Sequence, residues 1–296
     1  MTYLNWPEET VFPKDYFKSW FAHGSNICLD FHGDPTSADL IVFSDGNHHM
    51  ALKECLEYFQ SQHKDLSGIF YATTPPDPIV KIIRDGGLQL GNLILTTSPH
   101  IFISPPEIME SLVKDSLVQE YHPFVRNQGN VLLVKKGNPR NINTVADLEQ
   151  IEVRLFLSNP KTEKSSYQSY YNTLKALSGI TSFPDDLIES GRVMFGKNIH
   201  HREAPQAVAT GIADAAVVFY HLGLRYVRIF PDIFDIVPLG GTIDKPDPFP
   251  GNQTGTTCIG LVGDGDKWGR QFLSFMKSDR ALDIYQYHGL LPWSSE

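Results

Sequence analysis

Apolar runs alternate with amphipathic stretches along most of the chain. The run ADLIVFS, which ends at Ser44, is typical of a buried strand, and HHMALKECLEYFQSQ then places apolar residues at helical spacing. The order recurs in SGIFYATT with DPIVKIIRDGG, and in LILTTSPHIFIS with PPEIMESLVKDSLV. Strands that alternate with helices in this way predict an α/β architecture with largely parallel strands.

The second half of the chain repeats this alternation. NVLLVKK, VRLFLS, ADAAVVFY, FDIVPLGG and GTTCIGLVG read as strands, and helical patterns separate several of them. Ligands of open α/β sheets bind at loops that leave the carboxyl ends of strands. We therefore expect functional residues in five loops: SDGNHH, YATTPPD, TTSPH, SNPKTEKSSY and KNIHHREAP.

Composition narrows the range of partners. The chain has 296 residues and a net charge of -9, so we expect one large or two medium domains and no affinity for nucleic acid or anionic membranes. No apolar run is long enough for membrane insertion, and the first residues lack a signal-peptide pattern. Either the protein is cytoplasmic or a signal peptide has been removed.

The three cysteines do not form a CxxC pair and predict neither a zinc ribbon nor a redox motif. We interpret Cys28, Cys55 and Cys258 as small buried residues. A disulfide from Cys28 to Cys55 or to Cys258 stays an alternative. The triplet NQT at Asn252 is a glycosylation sequon of low specificity.

Several blocks, in their order, resemble the type II periplasmic binding proteins, and among them the molybdate-binding proteins of ABC importers. The blocks are LIVFSDGNHHMALKE, SPHIFIS, VLLVKKGNP, VRLFLSNPKTEKSSYQSYYNTL, REAPQAVATGIADAAVVFY and FLSFMKSDRALDIYQYHGLLP. The resemblance spans roughly Leu40 to Pro292. It implies an α/β fold of two domains with mixed or parallel sheets, a hinge of two crossing strands, and a small inorganic ligand held in the cleft between the domains.

The same resemblance implies the domain limits and the setting. The expected parts are a discontinuous domain I at 36–132 and 236–296, and domain II at 133–235. Residues 1–35 are expected to form an N-terminal extension that the resemblance does not cover. The crossings fall near 131–135 and 234–240. The implied location is periplasmic or extracellular, with an ABC importer membrane component as a partner. We expect a monomer without an organic cofactor.

Family ligand positions carry over residue by residue. The resemblance places the first contact at Asn47, the second at Thr73 or Thr74, and the third at the backbone of Ser165. It places the fourth contact, made by a backbone group, at His201. The fifth, a tyrosine in the family, falls at Phe219, which Tyr220 follows. Because some of these positions have changed chemical type, the ligand need not be that of the family.

Two pairs of consecutive histidines, His48–His49 and His200–His201, fall in these loops, one pair in each expected domain. Neutral imidazole is a common ligand of Ni²⁺, Zn²⁺, Cu²⁺ and Co²⁺. One histidine of each pair, with Asp45 as a ligand or as an orienting acceptor, predicts a transition-metal site. The alternative interpretation is that the pairs are solvated or cap helices, and that Asp45 is a turn residue.

Two other histidines are assigned less specific roles. For His100, which precedes the strand IFIS, we predict a hydrogen-bonding role at the strand entrance rather than metal ligation. His221 follows VVFY at a strand end and is a weaker ligand candidate.

The leading hypothesis is a solute-binding protein that captures a divalent transition metal, free or chelated. The second is binding of an oxyanion such as molybdate, tungstate or sulfate by Asn47, Thr74, Ser165 and backbone amides. A metal-dependent enzyme on the same fold is the third. The motifs GxSxG, HExxH and GxxxxGK[ST] are absent from the sequence, so we expect no enzyme.

Overall fold

Most apolar runs form strands and most amphipathic stretches form helices, as the sequence predicts. The computed structural model describes residues 31–74, 76–90, 93–150, 152–197 and 199–294. The strands of these ranges, in chain order, are β1 (Phe31–His32), β2 (Leu40–Ser44), β3 (Ile69–Thr73), β4 (Leu88–Leu90), β5 (Leu93–Leu95), β6 (Ile101–Ser104), β7 (Val118–Arg126), β8 (Asn130–Lys135), β9 (Leu155–Leu157), β10 (Val193–Phe195), β11 (Ala215–Phe219), β12 (Phe234–Pro238), β13 (Thr256–Val262) and β14 (Leu291–Pro292).

Helices occupy the segments between most of these strands. They are α1 (His49–Gln62), α2 (Pro76–Asp85), α3 (Pro106–Lys114), α4 (Lys164–Ser178), α5 (Asp185–Glu189), α6 (His200–Thr210), α7 (Tyr220–Ile229), α8 (Asp266–Met276) and α9 (Asp279–Tyr287). Two short 3₁₀ helices, Gly46–His48 and Ala146–Glu149, complete the described helical structure.

The described residues form two units. Domain I comprises 31–126 and 256–294, and domain II comprises 127–255. The predicted limits, 132/133 and 235/236, lie inside β8 and β12, and these strands pair with each other within domain II. The segment 1–35 was predicted to be an extension. Its first 30 residues lie outside the described ranges, whereas Phe31–His32 pairs with β3 as a strand of the domain I sheet.

Domain I is built around a seven-stranded mixed sheet with the order β1-β3-β2-β6-β13-β7-β14. Strand β2 lies parallel to β3 and β6, whereas β13 is antiparallel to β6 and β7. One apolar layer packs α1, α8 and α9 on one face, and the other packs α2 and α3 on the opposite face. Burial on both faces explains why β2 and β3 read as continuous apolar runs.

Domain II has a five-stranded mixed sheet with the order β10-β9-β11-β8-β12. The neighbours of β9 run parallel to it, and β8 is antiparallel to β11 and β12. The two mixed sheets confirm the predicted α/β class. They contain more antiparallel strand pairs than the alternation of strands and helices in the sequence suggests.

Two cysteines and one sequon can be placed. Cys55 and Cys258 are buried free thiols, as predicted, while Cys28 lies outside the described residues. Burial raises the pKa of the Cys258 thiol to about 11. The side chain of Asn252, the sequon asparagine, is buried and hydrogen-bonded to backbone groups of domain II.

Candidate functional site

The carboxyl ends of β2 and β3 meet at one edge of the domain I sheet. Ser44, the last residue of β2, is in register with Thr73, the last residue of β3, and both are fully buried. In the described part of the chain, the Thr73 hydroxyl oxygen has no hydrogen-bond partner. A buried hydroxyl in this state is a donor available to a ligand, since leaving it unsatisfied is costly.

The loop that leaves β2, residues Asp45–His49, lies at the same edge. Asp45 is buried and caps the 3₁₀ helix, because its carboxylate accepts a hydrogen bond from the Asn47 backbone N–H at 3.3 Å. Asn47 itself is half-buried. Thr74, which follows β3, is buried as well. The structure therefore brings together four of the predicted residues, Asp45, Asn47, Thr73 and Thr74, within domain I.

His48 uses both ring nitrogens for contacts inside domain I. Its Nε2 lies 3.3 Å from the Asp45 carboxylate and 3.3 Å from the Ser44 hydroxyl. Its Nδ1 lies 3.2 Å from the Tyr285 hydroxyl on α9. A histidine engaged on both sides is suited to organising the loop rather than to coordinating a solute.

His49 is oriented differently. Its Nδ1 donates a hydrogen bond of 2.9 Å to the Gly46 carbonyl oxygen. In the neutral ring this bond places the proton on Nδ1, so the lone pair is on Nε2. A backbone carbonyl that holds one ring nitrogen is a common way to orient a metal-ligating histidine. Of the first pair, His49 therefore has the geometry better suited to ligation.

The second histidine pair lies at the start of α6 in domain II, and both side chains are buried. His200 donates from Nε2 to the Val217 carbonyl oxygen at 2.9 Å and stacks on Phe156 with 5.7 Å between ring centroids. Burial lowers the pKa of His200 to about 4, and the hydrogen bond to Val217 only partly offsets this. His200 is thus a neutral packing residue that joins α6 to β11.

His201 is buried beside α7. Its backbone carbonyl accepts a hydrogen bond of 2.8 Å from the Tyr226 hydroxyl. The bond fixes the backbone at the position that the resemblance assigns to a backbone contact. Its role as a ligand stays a prediction.

The N-terminus of α6 receives a carboxylate from another loop. The backbone N–H of His200 donates to Glu163 at 3.1 Å, and the N–H of Lys197 donates to Glu203 at 2.8 Å. Because carboxylates favour helix N-termini, Glu163 occupies a position that an anionic ligand could otherwise take. Ser165, the second residue of α4, is exposed.

Phe219 and Tyr220 join β11 to α7. Phe219 is buried between the rings of Tyr170, at 5.0 Å, and His221, at 5.6 Å and nearly parallel. Tyr220 donates its hydroxyl to the Ile243 carbonyl oxygen at 2.7 Å, and burial raises its pKa. Both aromatic side chains pack within domain II, and the tyrosine hydroxyl is already engaged there.

Two features of domain II had no sequence signal. Arg225 is buried on α7, and burial lowers its pKa to about 10. Its spacing of four residues from His221 places both on one face of that helix. The buried polar network of Asn130, Thr173 and Asn252 was also missed, since its members are 43 and 79 residues apart in sequence.

His100 has the predicted hydrogen-bonding role. Its Nδ1 accepts a hydrogen bond of 3.1 Å from the backbone N–H of Ile41, and the backbone N–H of His100 donates to the Ile41 carbonyl oxygen at 2.9 Å. The ring thus extends the pairing of β2 with β6. Burial lowers the pKa of His100, in keeping with an unprotonated Nδ1.

The described residues also bear on the predicted metal site. In those ranges, no group of three or more His, Cys, Asp or Glu side chains is arranged to hold a metal ion. None of the helices described combines the length and the apolar character needed to cross a bilayer.

A family model of bacterial extracellular solute-binding proteins matches residues 40–291. The chain belongs to this family. As a solute-binding protein it binds a small ligand, and the family is one of substrate-binding proteins rather than of enzymes. No match was found among curated proteins.

Solved structures share the solute-binding fold over most of this chain. The molybdate-binding protein of Azotobacter vinelandii is 16% identical, with a TM-score of 0.63 over 86% of this chain and 100% of that one. The sulfate-binding protein of Mycobacterium tuberculosis is 15% identical, with a TM-score of 0.62 and 86% of each chain covered. A ferric binding protein of Campylobacter jejuni is 14% identical, with a TM-score of 0.55 and 86% of each chain covered. At such identities the likeness concerns the fold.

Proposed function

We propose that this solute-binding protein captures a small oxyanion, of the molybdate or sulfate type, at the domain I edge formed by the Asp45–His49 loop, Thr73 and Thr74. The observation that carries the proposal is the buried Thr73 hydroxyl, which has no hydrogen-bond partner within the described ranges. An oxyanion accepts hydrogen bonds at each oxygen, and bonds to a charged acceptor are stronger than those to neutral groups.

The start of α1 supports an anion at the same place. The helix has 14 residues and begins where the loop leaves β2, so the positive end of its dipole lies at this edge. His48 is the N-cap residue, yet its ring makes no capping bond because it is engaged with Asp45, Ser44 and Tyr285. Backbone N–H groups at such an end favour oxyanions.

The hydrogen bonds that the histidines make inside each domain also favour an oxyanion over the metal ion that the sequence predicted. His48 uses both ring nitrogens within domain I, and His200 donates to Val217 from a ring whose pKa is about 4. One member of each pair therefore has an internal structural role, which reduces the imidazoles that a solute could recruit.

A divalent transition metal is the second candidate, and one observation favours it. The bond from His49 Nδ1 to Gly46 fixes the orientation of this ring, and the Asp45 carboxylate belongs to the same loop. Ni²⁺ or Zn²⁺ would accept such a pair, with His201 as the matching candidate in domain II. We place this reading below the oxyanion.

In the cell, we propose that the protein delivers its solute to an ABC importer outside the cytoplasmic membrane. Family membership supports this role, since extracellular solute-binding proteins serve uptake. The acidic chain would gain no attraction to anionic lipid from its net charge of -9.

The deciding experiment is a ligand panel on the purified protein. Molybdate, sulfate and phosphate, and separately Ni²⁺ and Zn²⁺, are titrated by calorimetry and by thermal shift. A ligand at a hundredfold excess over its Kd stabilises the folded state by about 2.7 kcal/mol, which a thermal shift detects clearly. Binding of an oxyanion and not of the metals supports the proposal. The reverse pattern selects the metal.

The variant Thr73→Val localises the site. It keeps the shape of the side chain and removes the donor, so oxyanion affinity should fall about tenfold. Thr210→Val is the matched control, because its hydroxyl bonds within α6 in domain II. Equal affinities of wild type and Thr73→Val would remove Thr73 from the site.

A further inference from the structure

We propose that His48 is a positioning residue, which ties the Asp45 carboxylate of the site loop to the Tyr285 hydroxyl of α9. The ring bridges two groups that are 240 positions apart in the sequence. Its Nε2 lies 3.3 Å from Asp45 and its Nδ1 lies 3.2 Å from Tyr285. The inference rests on the proposed function only for its effect on solute affinity.

The partners determine which ring nitrogen carries the proton. Because the Ser44 hydroxyl donates its own proton to a carbonyl oxygen, it can only accept from the ring, so Nε2 must be the N–H donor. The Ser44 hydroxyl donates to the Asp45 carbonyl oxygen at 2.9 Å and can accept from the same Nε2–H. In the neutral ring, Nδ1 is then the acceptor, and Tyr285 O–H donates to it.

Burial makes this arrangement rigid. Relative exposures are 1% for His48, 3% for Asp45 and 0% for Tyr285. The Tyr285 ring packs edge-on against Phe124, with 4.7 Å between centroids. Burial holds the pKa of Tyr285 well above its usual range, so its hydroxyl keeps the proton that it donates. Buried networks with all members satisfied specify one conformation.

The contacts of His48 affect solute binding through Asp45. Its carboxylate also receives the Asn47 backbone N–H, the bond that caps the 3₁₀ helix. The orientation of Asn47, and of His49 after it, therefore depends on how Asp45 is held. His48 acts on the loop and not on the solute, and the adjacent histidines differ in their partners: His48 contacts Asp45 and Tyr285, whereas His49 bonds to the Gly46 carbonyl oxygen.

The test uses Tyr285→Phe, which keeps the ring against Phe124 and removes the hydroxyl. The control is Glu54→Gln, because Glu54 on α1 bonds His288, just after α9, at 2.8 Å and so links the same two helices away from the loop. His48→Gln is a second variant, in which the side chain cannot bridge both partners.

Two measurements need no ligand. The ¹⁵N shifts of His48 should show a protonated Nε2 and an unprotonated Nδ1, and the Nδ1 shift should move in Tyr285→Phe alone. Hydrogen exchange of the Asn47 amide should become about fivefold faster in Tyr285→Phe and His48→Gln, and unchanged in Glu54→Gln. A protonated Nδ1 in the neutral ring, or equal exchange in all proteins, would overturn the inference.

The third measurement connects the network to function. Molybdate affinity should fall about fivefold in Tyr285→Phe and stay at the wild-type value in Glu54→Gln. If wild-type protein does not bind molybdate, the proposed oxyanion fails, while the ¹⁵N and exchange results still decide the role of His48. Wild-type affinity in Tyr285→Phe, with clear binding in both, would refute positioning.

Discussion

The side-chain amide of Asn252 forms hydrogen bonds with both the backbone N–H and the backbone carbonyl of Asn130. Its Oδ1 accepts from the Asn130 N–H at 2.8 Å, and its Nδ2 donates to the Asn130 carbonyl oxygen at 3.0 Å. The same Nδ2 donates to the Leu239 carbonyl oxygen at 3.0 Å. The segments where the chain enters and leaves domain II are thus joined by one buried amide.

Replacing this amide should destabilise domain II. Asn252→Ala leaves three backbone groups without a partner in a buried place, so the free energy of unfolding should fall by about 3 kcal/mol. Urea unfolding monitored by circular dichroism measures the change. The half-buried Asn172, whose side-chain oxygen accepts a hydrogen bond from Gln168, supplies the control, and Asn172→Ala should change stability by less than about 0.5 kcal/mol. Similar losses in both variants would contradict the role assigned to Asn252.

Thr73→Val should separate stability from affinity. Because the Thr73 hydroxyl is buried without a partner in the described ranges, its removal should leave the ligand-free protein equally stable, or about 1 kcal/mol more stable. Solute binding should weaken at the same time. Unfolding in the absence of ligand measures the first effect. A ligand-free Thr73→Val protein destabilised by more than about 1 kcal/mol would indicate an internal partner for this hydroxyl.

Acid should weaken the fold through His200. Its pKa is about 4 when folded and about 6.5 when unfolded, so the unfolded state takes up the proton first. This stability is present above pH 6.5 and is lost as the pH falls towards 4, by about 3 kcal/mol in all. Stability measured across this range should be flatter in His200→Gln. The control is His122→Gln in β7, where the histidine is only partly buried, and the stability of this variant should depend on pH as in the wild type.

His100 should act in the same direction, because burial lowers its pKa and its Nδ1 accepts from Ile41. His100→Leu removes this acceptor and should cost about 1–2 kcal/mol at pH 7. His100→Asn offers an oxygen near the position of Nδ1 and should recover part of the loss. Equal stability of the two variants would mean that the Ile41 bond contributes nothing measurable.

Local patterns were sufficient for many of the strands and helices, although not for β7 or α7, and for the edge that carries the candidate site. Burial on both faces makes β2 and β3 continuous apolar runs, and the polar residues that interrupt them at Ser44 and Thr73 mark their carboxyl ends. The hydrogen-bonding role of His100 was also accessible, since a polar ring directly before a buried strand needs a partner. These features depend on neighbours within a few residues.

Tertiary structure alone decided which histidine does what. His48 and His49 are indistinguishable in sequence, yet one meets Tyr285 from the last described helix and the other meets Gly46 three residues away. The domain limits depend in the same way on pairing between β8 and β12, about a hundred residues apart. Hydrogen-bond partners and strand neighbours at such separations are set by how the chain packs, and no local pattern of polarity encodes them.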